Sequence, residues 1–150
     1  MPLLSPGDQQ KLREAFAEMT RPVRLLFFTQ TLDCDTCVTT RQILDELPPL
    51  SDKISIEEVN VVLDGDRSKQ YGIDRAPAIA LVYDDGQPAA SGVNDSRIRF
   101  LGAPSGYEFI SLVQAVLLVG GRPSGLTAES RALISAVDKP VTMRVFTTPT

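Results

Sequence analysis

The stretch VRLLFFTQTLDCDTCVTTRQIL, residues 23–44, constrains the fold more than any other part of the chain. Val23 to Thr29 is an apolar run between Pro22 and a polar loop, with the length and composition of a buried strand. Cys34 and Cys37 follow it, and they are the 2 cysteines of the chain. Val38, Ile43, Leu44 and Leu47 then mark a helix that Pro48-Pro49 terminates. A buried strand, a close thiol pair and an amphipathic helix in this order commit the chain to an α/β core.

The flanking sequence supplies the remaining elements. Ser5 is placed to cap a helix, with Pro6 at its first position and Asp8 favouring the positive end of the dipole. Leu12, Ala15, Phe16 and Met19 continue that helix to about Thr20. Residues 54–62 read as a second strand, with Ile54, Ile56, Val59 and Val61 buried. A short helix over 64–71 stops at Gly72. Residues 78–83 make a third strand, Asp85-Gly86 a turn, and residues 97–101 a fourth strand. Residues 107–119 form a helix closed by Gly120-Gly121. A βαβ unit followed by a hairpin and a helix gives a mixed four-stranded sheet with helices on both faces, plus an extra N-terminal helix. Tyr71, Tyr83 and Tyr107 are read as packing residues.

A net charge of −4 and the lack of a Lys/Arg cluster argue against a nucleic-acid partner. The first residues have neither a basic region nor the apolar run of a signal peptide, and the run from Phe109 to Val119 is too short to cross a bilayer. A cytoplasmic address follows. In a reducing compartment a lone close thiol pair is catalytic or metal-binding before it is a structural staple.

RPVRLLFFTQT at 21–31 and KPVTMRVFTTPT at 139–150 share basic-Pro-Val, a β-run and Phe-Thr at the same offsets, each after an amphipathic helix. This internal repeat divides the chain into a domain over 1–124 and, over 125–150, the opening helix and first strand of a second, truncated domain. Unpartnered, that segment would pack on the first domain, extend its sheet, or swap between chains to form a homodimer.

Zinc needs three or four protein ligands, and 2 thiols with 0 histidines do not supply them. Two inert buried thiols would suit Cys37 better than Cys34, because Asp33, Asp35 and Thr36 belong in an exposed loop. A redox dithiol fits best. Where a strand ends and a helix begins, Cys34 points to solvent beside the positive end of the helix dipole, which stabilises the attacking thiolate. Cys37 lies one turn on, positioned to resolve a mixed disulfide. Asp33 and Asp35 oppose this by raising the pKa of Cys34, and Arg75 would offset them if its loop lay against the cysteines.

Strand, C-x-x-C at a helix start, and then the proline of DRAPAI (Pro77), 40 residues after Cys37, resemble the thioredoxin/glutaredoxin superfamily. The resemblance implies a cis Pro77 against the dithiol, with Ala76 and Arg75 in the substrate-binding loop and Ala76 offering backbone hydrogen bonds to an extended substrate. RPVRLLFF, DRAPAI and RFLGAPSGYEF look like the N-terminal half of tandem glutaredoxin-like protein disulfide oxidoreductases. SLVQAVLLVGGRPS is similar to the N-terminal tandem thioredoxin-fold region of the flavin-dependent alkyl hydroperoxide reductase subunit. The buried acid of thioredoxin proper is replaced here by Phe28, leaving Glu57 or Glu58 as substitutes.

The resemblance implies a thiol–disulfide oxidoreductase acting on protein disulfides, with no metal or bound cofactor. A thioredoxin-reductase-like flavoprotein would be its electron donor, or a peroxiredoxin its partner. The competing expectation is a non-catalytic thioredoxin-fold docking domain of a tandem redox protein. A glutathione-using variant is a subsidiary one.

Overall fold

The computed structural model describes residues 2–86 and 92–148. Its elements are α1 (Pro6–Phe16), β1 (Val23–Thr29), α2 (Cys37–Asp45), a 3-10 turn over Pro48–Leu50, β2 (Ile54–Asn60), α3 (Gly65–Gln70), β3 (Ala78–Tyr83), β4 (Asn94–Leu101), α4 (Tyr107–Val119) and α5 (Ala128–Ser135).

The strands form one sheet in the order β2-β1-β3-β4. β1 runs parallel to β2 and antiparallel to β3, and β3 is antiparallel to β4. β1 therefore lies inside the sheet, as its unbroken apolar run requires. Leu25, Leu26, Phe27 and Phe28 are all at most 1% exposed, so both of its faces are covered. Full burial of each such side chain stabilises by about 1.5–3 kcal/mol.

Alternation along β1 divides the core in two. Leu25 and Phe27 join Phe16, Leu44, Leu112 and Val116, so α1, α2 and α4 cover one face. Leu26 and Phe28 join Tyr71 and Ile73 beside α3 on the other. β2 splits likewise, with Ile54 and Ile56 on the first face and Val59 on the second, joined there by Val61 just past the end of the strand at Asn60.

Ser5 caps α1 through its hydroxyl oxygen, which accepts from the Asp8 N–H, and Pro6 stands in the first turn. α1 ends at Phe16 rather than near Thr20, because the chain tightens into i→i+3 bonds from Glu18 to Ala15 and from Met19 to Phe16. Met19 still reaches the core. β4 begins three residues earlier than its apolar run, and a bulge displaces its register to β3 between Ala80 and Val82. The β3–β4 turn starts at Asp84-Gly86, and its tip lies outside the described residues.

Two apolar residues depart from the sequence reading. Tyr107 is 80% exposed because it opens α4 on the solvent side, and Val38 is 67% exposed because α2 turns Cys37, Thr40, Ile43 and Leu44 inward. The α5 helix forms with Thr127 as its cap and has no buried residue. Residues 138–148 are exposed and carry no regular structure, since a strand needs a partner ladder. The final two residues of the second repeat copy lie outside the described residues. None of the described helices is long and apolar enough to cross a membrane.

Candidate active site

β1 ends at Thr29, and residues 30–36 carry the chain over the end of the sheet into α2. In this loop Asp33 adopts a left-handed backbone, φ 55°, a conformation that costs Asp and Asn less than other L-residues. The Gln30 side-chain amide donates to the Asp33 carbonyl at 3.1 Å and closes the loop. Neither Gln30 nor this conformation was evident from the sequence, although a Gln and an Asp three residues apart after a strand is the available cue.

Cys34 and Cys37 form a disulfide with a Cα–Cα distance of 5.4 Å. The backbone N–H of Cys37 donates to the Cys34 carbonyl at 3.3 Å, so the pair spans one tight turn. α2 begins at Cys37 with Thr36 as its N-cap, and Cys34 sits just ahead of the helix rather than in its first turn. The two sulfurs differ in access. Cys37 is 6% exposed and belongs to the core, whereas Cys34 is half-buried and packs against the edge of the same cluster.

Ala76 packs against that cluster too, which brings the loop before β3 to the dithiol side of the sheet. The Ala76–Pro77 peptide is cis. Pro77 is buried, and its carbonyl accepts from the Gly102 N–H at 2.9 Å, tying the loop to the end of β4. Arg99 secures the approach to this loop. Its Nε donates to the Tyr71 carbonyl at 3.0 Å, and its guanidinium forms two bonds to Asp95, at 2.8 and 2.7 Å. Burial pushes the Asp95 carboxyl up, but the hydrogen bonds from Arg99 and the Arg97 N–H outweigh it and hold its pKa below the usual value.

The other sequence-selected residues are placed as follows. Asp33 and Asp35 are exposed on either side of Cys34. Arg75 is exposed, and its guanidinium donates to the neighbouring Asp74 at 2.8 and 3.3 Å. Its charge is thereby directed to Asp74, whose carboxyl it holds below the ordinary value. Glu57 and Glu58 point to opposite faces of β2. Glu57 pairs with Arg67 and with Arg24, while Glu58 pairs with Arg41 of α2 at 2.6 Å. Only Glu58 thus shares the α2 face with Cys37. Among the described residues no group of three or more His, Cys, Asp or Glu is arranged to hold a metal ion.

No family profile matches the sequence. A probable thioredoxin of Methanothermobacter thermautotrophicus is 30% identical over 81 residues, which cover 53% of this chain and 80% of that protein. The chain belongs to the thioredoxin superfamily. With that fold and a Cys-x-x-Cys disulfide where β1 meets α2, it is a thiol–disulfide oxidoreductase in general type.

Longer proteins also match most of this superfamily member. The AhpF component of the alkyl hydroperoxide reductase of Xanthomonas campestris pv. phaseoli is 34% identical over 130 residues, 85% of this chain. The chain spans about a fifth of that protein's length (20%). Among solved structures, the NTD N/C domain of the alkylhydroperoxide reductase AhpF of Enterococcus faecalis matches with a TM-score of 0.78 at 32% identity. That match covers 91% of this chain and 62% of the other. A protein disulfide oxidoreductase of Aeropyrum pernix shares the fold at a TM-score of 0.72 and 22% identity, over 88% of this chain and 54% of that one.

Proposed function

We propose that this chain exchanges its Cys34–Cys37 disulfide with disulfides of other proteins. Cys34 acts as the nucleophile and Cys37 as the resolving thiol. The observation that carries this reading is the unequal access of two sulfurs in one disulfide, Cys34 half-buried at the surface and Cys37 in the core. An incoming substrate meets Cys34 first, and Cys37 is held one turn away to displace it. Ala76 and Pro77 border the dithiol side, where an extended segment would add its backbone beside Ala76. Asp33 and Asp35 tune Cys34 by their charge.

The alkyl hydroperoxide reductase likeness supports a redox relay in which a flavoprotein supplies electrons and a peroxiredoxin-like disulfide receives them. Residues 125–150 are read as the opening of a second thioredoxin-like unit. The repeated Pro-Val motif and the capped, uncovered α5 support that boundary.

Reduction of insulin by dithiothreitol tests the central reading. The protein should accelerate it, Cys34→Ser should abolish the acceleration, and Cys37→Ser should accumulate mixed disulfides on Cys34. Equal, slow rates for wild type and Cys34→Ser would overturn it and favour a docking role.

A further inference from the structure

We infer that the dithiol discriminates between disulfides by charge, favouring those with positive charge beside the sulfur over anionic ones such as oxidised glutathione. The inference rests on the exchange reading above and names the substrate class of that site.

Asp33 and Asp35 are the immediate chain neighbours of Cys34, and both are exposed. Consecutive Cα atoms lie about 3.8 Å apart, so both carboxylates stay within roughly 10 Å of the reacting sulfur. The left-handed turn at Asp33, closed by Gln30, fixes the backbone from which the first of them projects.

Three arginines on the surrounding elements are committed elsewhere. Arg41 of α2 binds Asp45 and Glu58, Arg67 of α3 binds Glu57, and Arg75 in the loop before Pro77 binds Asp74. Arg144 acts electrostatically on Asp74. Neither Asp33 nor Asp35 has an ion-pair partner among the described residues. The half-exposed sulfur therefore lies between two uncompensated negative charges. Leu32 and Val38, 77% and 67% exposed, extend an apolar rim from the same turn. A basic, partly apolar segment around a cystine matches this surface.

The exchange balances without another participant. The reduced Cys34 thiolate attacks one sulfur of R–S–S–R, forming a mixed disulfide and expelling R–S⁻, which takes a proton from solvent. The Cys37 thiol loses its proton and displaces the second R–S⁻. The substrate gains two electrons, and the protein returns to its disulfide.

The test compares three small disulfides with the dithiothreitol-reduced, desalted protein: cationic cystamine, neutral hydroxyethyl disulfide and anionic dithiodiglycolate. Oxidation is followed by acid quenching and mass spectrometry. The ratio of wild-type rate to Asp33→Asn/Asp35→Asn rate is taken for each probe and divided by the ratio for the neutral one. Differences in leaving group and in Cys34 acidity then cancel. At about 10 mM salt the normalised ratio should be roughly three- to ten-fold above one for cystamine and below one by a similar factor for dithiodiglycolate. At about 1 M salt both should approach one.

Asparagine tolerates the left-handed backbone at 33, and the salt dependence of wild type alone is a second measurement that needs no variant. Equal ratios for all three probes, or wild-type preferences insensitive to salt, would overturn the charge selection while leaving exchange intact. Failure of all three probes to oxidise the protein would overturn the exchange reading itself, and this inference with it.

Discussion

The Gln30 side-chain amide donates to the Asp33 carbonyl at 3.1 Å, and so fastens the end of β1 to the residue preceding the outer cysteine. Because Asp33 has φ 55°, the bond holds a backbone conformation that most side chains resist. Asp33→Gly should leave stability within about 0.5 kcal/mol, whereas Asp33→Val should cost about 1–2 kcal/mol. Urea denaturation of the oxidised protein measures both, and equal costs would show that the loop does not depend on this conformation.

Two partly buried carboxylates, Glu57 and Asp95, contribute to the acid sensitivity of the fold. Hydrogen bonding from Arg67 holds Glu57 below its ordinary value of 4.5, burial opposing and Arg24 assisting. Asp95 is held below 3.8 by Arg99 against the cost of its burial. Both pKa values are depressed in the folded state, so their stabilisation is fully present above the unfolded values. It is lost as the pH falls through the folded ones. Denaturation midpoints should thus be insensitive to these groups at neutral pH and should decline below about pH 4.5. Glu57→Gln should flatten the upper part of that decline, and an unchanged slope would remove Glu57 as a contributor.

Gly121 terminates α4 with φ 111°, and a Cβ there would strike the Thr20 hydroxyl. The same junction is joined by the Thr20 N–H donating to the Gly120 carbonyl and by Arg21 Nε donating to the Val119 carbonyl. Gly121→Ala combines backbone strain with a steric clash and should cost about 2 kcal/mol or more in urea denaturation. Gly65→Ala, where nothing lies within 4 Å of the added methyl, is the matching control and should be nearly neutral.

Removal of residues 125–150 should leave the melting temperature within about 3 °C. α5 buries nothing, and the later residues are exposed; their interactions with the rest of the fold include the Thr147 hydroxyl donating to Glu108 at 3.0 Å and Arg144 acting on Asp74. A hydrogen bond between exposed groups contributes little. A large fall in thermal stability, read by circular dichroism, would mean that the segment belongs to the first domain's core.

The sequence disclosed the central elements because their signals are local and strong. Val23 to Thr29 is uninterrupted and bounded by Pro22, and the helix over 107–119 is closed by paired glycines, so both emerged with the expected limits. Asn94 to Ser96 were not legible as strand, since their pairing depends on a bulge that only the β3 partner defines. At the site, the close thiol pair was readable from its spacing, and the cis Ala76–Pro77 peptide from the family resemblance. The unequal access of the two sulfurs was foreshadowed by the polar neighbours of Cys34, but its extent was not legible, because it depends on α2 turning Cys37 and Thr40 inward while Val38 faces water. The partnership of Arg75 with Asp74 was equally hidden, being one choice among several carboxylates in the same loops.

The burial of Cys37 gives the redox pair a single port. The disulfide stores two oxidising equivalents across two sulfurs, and on the proposed exchange traffic with the outside would pass through Cys34 alone. Shape would then impose the order of bond making and breaking, independently of which thiol is the stronger acid. On the proposed exchange, a reagent that alkylates Cys34 irreversibly would disconnect both sulfurs at once, whereas a disulfide cap would still be open to displacement by Cys37.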